Sequence, residues 1–541
     1  MSDHSERPET HEEAQLTLRA GQSTCATKDS AQDECAAERG LGDAAVLSWQ
    51  GLKVSTQAKN KPLLKGVSGQ ITGGFWAVMG PSGSGKSTLL NALALRLDRA
   101  VTVEGDFRLN GRKYKTAELK RMAGYVMQDD VLNGSLTVEE TLAYTARLRC
   151  DQDLSAEQRS QRVDRALKMV RLEHARKTLV GSHLLKGISG GERKRLSVAL
   201  ELLTEPKLLF LDEPTSGLDS VTALSLCSTL KDLSARVTIV TTIHQPQAKI
   251  FAMFQCLILM DAGNIVFQGP IEEALAMFEE KGYPCPGLTN PADHILDSMA
   301  ISRTDSSCSL VNTNEDQRRV NLLVGEGKPT ESLRSATSWT SQFCILLERI
   351  LKEHIRKKNI FMVSLAQSVI MAVLVGMTYL KIGNDQLSAD KRQPALFFCV
   401  INQGVFGAIQ VINSFPGERV LVLRERAAGT YCTSAYFVAK SVAELLFQTP
   451  QPIIFSTVVY WLVGFQAEAS KFFIFTAFMV LGSTAATSLA LAVSAICRTM
   501  DLSVTVLPMV LEVCRLFGGF FVSPANLPDY FIWLDMLSYV R

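Results

Sequence analysis

Apolar positions recur in three different patterns along this chain. Residues 1–44 are rich in Ser, Thr, Glu, Asp and Ala and carry almost no large apolar side chains. Such a stretch cannot bury enough surface to offset its ordering entropy and reads as a disordered tail. From Ala45 to about residue 300, short apolar runs alternate with helical stretches, the pattern of an α/β domain. Phe75 to Met79 reads as a buried strand and Lys207 to Leu211 as a strand buried on both faces of a parallel sheet. Ala123 to Met127 and Val237 to Ile243 read as two more strands, and Val138 to Arg149 and Gly190 to Leu203 as helices. Trp49 lies in the first strand and is expected to pack in the core.

Residues 301–338 are polar and read as a solvated linker. In 339–358, Phe343, Leu346, Leu347, Ile350, Leu351 and Ile355 fall at helical spacing amid Arg349, Lys352, Arg356, Lys357 and Lys358. This is a basic amphipathic helix, expected to lie at a membrane surface rather than to pack as a cytosolic helix. Residues 359–541 then carry five apolar segments, at about 360–380, 395–415, 441–463, 472–496 and 503–522. Each is near the roughly 20 residues that cross a hydrocarbon core. The basic helix, Arg419, Arg424, Arg426, Lys440 and Arg498 lie on one side, which is therefore the cytoplasmic one.

Composition agrees with two parts of different character: 541 residues exceed one ordinary domain, and 47% are hydrophobic. A net charge of +2 gives no support to a nucleic-acid partner. The twelve cysteines show no C-x-x-C spacing for zinc or redox chemistry.

Candidate chemistry concentrates in the α/β part. Gly80-Pro81-Ser82-Gly83-Ser84-Gly85-Lys86-Ser87-Thr88 has the phosphate-loop pattern and sits between a strand and a helix. Its glycines let backbone N–H groups converge on phosphate oxygens at a positive helix end. The motif predicts that Lys86 reaches the β- and γ-phosphates and that Ser87 ligates Mg²⁺. Ser189 is placed to cap a helix, with Gly190 and Gly191 leaving N–H groups open to a second anion ahead of Glu192. Asp212 and Glu213 end a parallel strand, and Gln128 and His244 follow two others, so all four fall on the edge that carries the phosphate loop.

In that order, the phosphate loop, Gln128, Ser189-Gly190-Gly191-Glu192, Asp212-Glu213-Pro214-Thr215-Ser216-Gly217-Leu218-Asp219-Ser220 and His244 resemble the ATP-binding cassette of ABC transporters. The resemblance covers residues 45–300. Tyr125-Val126-Met127-Gln128-Asp129-Asp130, Gly190 to Arg195, Thr242-Ile243-His244-Gln245-Pro246 and Asn290-Pro291-Ala292-Asp293 are similar to the White-type subfamily G half-transporters, whose cassette precedes the membrane domain. The resemblance implies a P-loop NTPase fold of the ABC type followed by an all-α polytopic membrane domain. It also implies an ATPase coupled to export of a lipid, sterol or other hydrophobic compound.

The resemblance assigns Mg²⁺ to Ser87 and Asp212, Mg²⁺ or the attacking water to Gln128, the general base to Glu213 and a γ-phosphate contact to His244. Ser189 and Gly191 would meet the ATP held by an opposite subunit and Asp219 would link the two sites across the interface, which calls for a homodimer or heterodimer. Phe415 to Arg419 and Leu423 to Arg426 resemble the segment that rests on the cassette. Asn402, Gln403, Gln410 and Asn413 make the second span polar, and Glu512 and Arg515 are spaced to pair in the fifth. By the same resemblance these two spans line the path.

After the fifth span, Pro524 to Leu534 resembles the start of the family's external loop, and the sixth span of the family is expected to be missing. The alternative reading is a truncated, non-transporting subunit. A soluble ABC ATPase fits the apolar segments worst. Neither the substrate nor the particular membrane, plasma or internal, can be read from the residues.

Overall fold

The computed structural model describes residues 45–57, 61–97, 100–114, 118–119, 122–151, 153–182, 185–287, 289–304, 337–383, 386–412, 415–497 and 499–521, with single residues between 528 and 540. The tail at 1–44, most of the 301–338 linker, Asn413, Arg498 and Pro524 to Leu527 lie outside the described residues.

The first part runs β1 (Leu47–Thr56), β2 (Pro62–Ile71), β3 (Phe75–Met79), α1 (Lys86–Leu93), β4 (Val101–Leu109), β5 (Arg112–Lys113) and β6 (Ala123–Val126). It continues with α2 (Val138–Arg149), α3 (Ala156–Met169), α4 (Gly190–Leu202), β7 (Leu208–Leu211), α5 (Ser220–Ser234), β8 (Thr238–Thr242) and α6 (Ala248–Phe251). It closes with β9 (Cys256–Asp261), β10 (Asn264–Pro270), α7 (Ile271–Glu280) and α8 (Pro291–Thr304).

Two sheets form. An antiparallel one has the order β2-β1-β4-β5, and the central one has the order β10-β9-β3-β8-β7-β6. From β9 to β6 all central neighbours are parallel. Every residue of β3, β7 and β8 is buried, as a parallel strand covered by helices on both faces requires. Since β3, β8, β7 and β6 are consecutive and parallel, the residues that follow them emerge side by side on one edge. Trp49 is wholly buried, against Gly69, where a Cβ would lie 2.5 Å from its ring. It is a core residue.

The second part is helical: α9 (Trp339–Arg356), α10 (Lys358–Thr378), α11 (Gln386–Ile412), α12 (Phe415–Ala427), α13 (Thr433–Gln448), α14 (Pro450–Val463), α15 (Ala469–Ile496) and α16 (Met500–Leu516). Among the described residues, three stretches are long and apolar enough to cross a membrane: Phe361–Thr378, Asp390–Ile412 and Ala469–Ile496. The segment expected at 441–463 is two helices instead of one. α13 ends and α14 begins at Thr449, because Pro450 and Pro452 have no N–H to continue the ladder while Pro fits the first turn of a new helix. The last segment is shorter than expected as well, since α16 stops at Leu516.

α11 packs along α15, and α10 along α14. Close approach is purchased with small residues: a Cβ on Gly407 would lie 3.0 Å from Ser483 Oγ, and one on Gly376 2.6 Å from Leu462. Glu512 and Arg515 do pair, at 2.9 Å. Their side chains are 60% and 45% exposed on the single chain, so they do not face its interior.

α9 packs against both parts of the chain. Ile345, Leu346 and Ile350 are buried in a cluster with Leu136, Tyr144 and Leu148 from the α/β part and Tyr431, Ala435, Tyr436 and Ala439 at α13. Protein from both parts of the chain covers the Ile345, Leu346 and Ile350 stretch of the apolar face, while Ile355 at its end is 64% exposed. The basic residues of the helix are used in ion pairs: Arg349 with Glu425, and Lys352 and Arg356 with Glu140.

Candidate nucleotide-binding and hydrolysis site

The loop after β3 turns on glycines that no other residue could replace without strain. Gly80 has φ 150°, and a Cβ there would lie 2.2 Å from the Met260 carbonyl oxygen. Gly85, at φ 101°, caps α1 in the left-handed conformation without any side-chain cap. The first-turn N–H groups of α1 are thereby left for a ligand anion. Lys86 is buried, and its Nζ donates to the carbonyls of Gly80 at 2.9 Å and Pro81 at 3.0 Å. Burial lowers its pKa from the ordinary lysine value, against the opposing pull of Glu213 and Asp212.

The strand ends meet this loop. Ser87 Oγ, in the first turn of α1, donates to Asp212 Oδ1 at 2.9 Å, and the same oxygen accepts from Thr242 Oγ1 at 2.7 Å. The Thr242 hydroxyl also accepts from the backbone N–H of Glu213 at 2.8 Å. Gln128 Nε2 donates to Glu213 Oε2 at 2.9 Å, and His244 Nε2 lies 3.1 Å from Ser82 Oγ. Ser87, Asp212, Thr242, Glu213 and Gln128 therefore form one continuous hydrogen-bonded chain contributed by four neighbouring elements. Glu213 itself sits at φ 43°, which costs a residue bearing a Cβ about 1–2 kcal/mol.

Ser189, Glu192 and Asp219 form a second group. Ser189 caps α4 in a reciprocal box: its Oγ accepts from Glu192 N at 3.3 Å, and its N donates to Glu192 Oε2 at 2.8 Å. That backbone N–H, joined by His174 at 2.7 Å, holds the Glu192 carboxyl below the usual range. Asp219 caps α5 by accepting from Thr222 N at 3.0 Å, and Thr222 in turn crowds Gly191, whose Cβ would lie 2.1 Å from its methyl. Gly190 has open space around it. Among the described residues, the hydrogen bonds of Ser189 and Asp219 stay within this second group and do not join it to Lys86, Asp212 or Glu213.

A third set joins the nucleotide-site edge to the helices. Arg424 of α12 donates to the carbonyl of Val131, three residues after Gln128. Arg349 grips Glu425 with bonds of 2.7 and 3.0 Å, and Arg356 donates to Ser135 O at 2.7 Å and to both oxygens of Glu140. Burial alone would raise the Glu140 pKa, but Arg356 and Lys352 bring it down to about 2. Of the two stretches expected to rest on the α/β part, Leu423 to Arg426 touches it through Arg424, while Glu418 and Arg419 bond to Tyr436, Lys440 and Cys497 of the helical part.

Sequence reasoning missed three participants. Thr242 holds the Asp212 carboxylate and the Glu213 backbone; a hydroxyl in a fully buried strand end was the available signal. Lys194 of α4 is buried against the loop that carries Gln128. Glu201, lower on α4, is buried in a 3.0 Å ion pair with Arg149. Nothing local in the sequence marks these last two.

A six-stranded sheet with a phosphate loop, strand-end carboxylates and a capped glycine pair, joined to a helical membrane part, is the layout of an ABC transporter ATPase with its permease. Residues 64–216 match the family described as ABC transporter, and residues 244–314 and 341–541 match families described as ABC-2 type transporter. The chain is 33% identical to the ABC transporter ATP-binding protein/permease wht-1 of Caenorhabditis elegans, across 89% of this chain and 76% of that one. It is 34% identical to the protein white of Drosophila melanogaster (90% and 74%). It is 31% identical to the broad substrate specificity ATP-binding cassette transporter ABCG2 of Mus musculus (93% and 84%). The chain belongs to the White and G-type half-transporters of the ABC family, and it is a membrane protein with an ABC ATPase domain.

Proposed function

We propose that this chain dimerises, hydrolyses ATP with Mg²⁺ and uses the cycle to export a lipid, sterol or other hydrophobic compound, its cassette facing the cytoplasm. The observation that carries the reading is the unbroken hydrogen-bonded chain from Ser87 through Asp212, Thr242 and Glu213 to Gln128, set beside the Lys86 loop. Open space surrounds Gly83 of the loop, and Lys86 Nζ is held within the loop on the carbonyls of Gly80 and Pro81. Ser87, Asp212 and Gln128 offer hard oxygen donors suited to Mg²⁺. When bound, the ion would neutralise charge on the β- and γ-phosphates.

Glu213 accepts the proton of the attacking water as that oxygen bonds to the γ-phosphorus and the bond to the bridging oxygen breaks. Thr242 and Gln128 hold its carboxylate and backbone in place, which supplies the positioning that phosphoryl transfer depends on. His244, next to Ser82, contacts the γ-phosphate. Ser189, Gly190, Gly191, Glu192 and Asp219 face the nucleotide of the second subunit, which is consistent with their separation from the Lys86 group. The test is ATP-dependent uptake of a panel of lipids, sterols and hydrophobic drugs into inside-out vesicles carrying the chain, run beside Lys86→Ala. Uptake that is equal in the two preparations would refute the reading.

A further inference from the structure

Lys194 lies five positions after Ser189 on α4, and it is 2% exposed. Its Nζ donates to Gln128 O at 2.7 Å and to Met127 O at 3.3 Å, and stands 3.1 Å from Asp130 Oδ1. An ammonium has three donors and no acceptor; here two carbonyls of a single short loop accept from it, and the carboxylate of the same loop balances its charge. The loop is otherwise exposed from Met127 to Asp129. The Gln128 side chain points the other way, to Glu213, and Val131 at the far end of the loop is held by Arg424.

We propose that Lys194 is a positioning residue for ATP hydrolysis: it clamps the backbone of Gln128 to the helix that Ser189 caps, so that the Gln128 amide stays on Glu213 and moves only together with that helix. A buried cation is costly unless fully paired, and the surroundings of Lys194 pair it with one loop only. The consequence reaches across the dimer. If Ser189 serves the opposite nucleotide, Lys194 ties each chain's Gln128 to the closure of the other site. The proposal rests on the roles given above to Gln128 and Glu213.

The experiment is steady-state ATPase kinetics of the full chain in membranes, for Lys194→Met, Gln128→Ala and the double variant. Lys194→Met is expected to leave the ATP KM within about twofold and to lower kcat about tenfold or more, since a displacement of about an ångström at such a site costs up to about a hundredfold. Gln128→Ala lowers kcat as well, and the double variant is no slower than Gln128→Ala. Losses that multiply in the double variant, or a raised KM at unchanged kcat, overturn the proposal. An unchanged kcat in Gln128→Ala instead defeats the assignment of Gln128, and the clamp with it. Binding of a fluorescent ATP analogue certifies the fold. Should Lys194→Met fail that check, Asp130→Asn takes its place, with the same split at smaller amplitude expected and a KM effect alone overturning the clamp.

Discussion

Arg349 and Glu425 meet through two parallel hydrogen bonds, 2.7 and 3.0 Å long, although they stand 76 residues apart on α9 and α12. The Tyr431 hydroxyl donates a third bond, at 2.5 Å, to the same carboxylate. Both partners are mostly buried, their side chains 9% and 18% exposed. Bidentate geometry and removal from water make this a fixed joint between two helices at the cassette junction. Arg349→Met alone leaves a buried carboxylate unpaired and is expected to cost about 3–5 kcal/mol. Arg349→Met with Glu425→Gln should recover most of that loss. Thermal unfolding of the purified chain checks it; equal loss in single and double variants would show that the pair is not the joint.

Glu213→Gln should bind ATP as the parent does, yet hydrolyse it at least about a hundredfold more slowly. Amide for carboxylate keeps the 2.9 Å bond to Gln128 available while removing the proton acceptor. Nucleotide binding and phosphate release measured on one preparation separate the two effects. Near-normal turnover would move the base to another residue.

Lys86→Ala and Ser189→Arg should fail in different ways. The first removes the cation within its own loop and abolishes nucleotide binding. The second changes the cap of α4, outside the Lys86 group, and leaves binding intact while hydrolysis stops. A mixed dimer with one change in each subunit retains one intact composite site. Absence of any ATPase activity in that mixed dimer, measured after two-tag purification, would defeat the two-chain site.

His354 gives α9 a dependence on pH. Its ring stacks on Phe447 at 4.7 Å, Nδ1 lies 2.9 Å from Ile350 O, and Nε2 lies 3.7 Å from Glu444, with Lys440 beyond. Burial pulls its pKa down, but the Glu444 carboxylate and the Ile350 carbonyl outweigh it, and the net shift is upward from 6.5. A raised folded-state pKa stabilises fully below 6.5 and loses that contribution as pH rises through the folded value. The melting temperature should therefore fall as pH is raised above 6.5, and His354→Phe should flatten that part of the profile. An unchanged slope in the variant would assign the dependence elsewhere.

The cassette was legible because its chemistry is written in short, local signals. A phosphate loop needs its glycines at fixed offsets within one short stretch, here Gly80 to Gly85, and strand-end residues such as Asp212 and His244 follow apolar runs that mark their own ends. The α9 helix shows the limit. Its periodicity reveals an apolar face but not what covers it, and Tyr144 and Tyr436 arrive from elements far away in sequence. Among Arg193, Lys194 and Arg195, residue type says nothing about which is buried; helix phase against the Gln128 loop decides it. The break at Thr449 could have been seen, since Pro450 and Pro452 stand inside the apolar run, but a count of hydropathy passes over missing N–H groups.

The protein that covers α9 also bears on how the cassette behaves when detached. A fragment ending near residue 304 would bare Leu136, Tyr144 and Leu148, which are buried against Ile345, Leu346 and Ile350 in the whole chain. Each such side chain loses about 1.5–3 kcal/mol of burial when it returns to water. Glu140 would lose Arg356 and Lys352 together. The cut leaves a sticky apolar patch beside an uncompensated carboxylate, a surface prone to clumping. A well-behaved soluble fragment of this transporter would need α9 carried along, or polar residues substituted at those three positions.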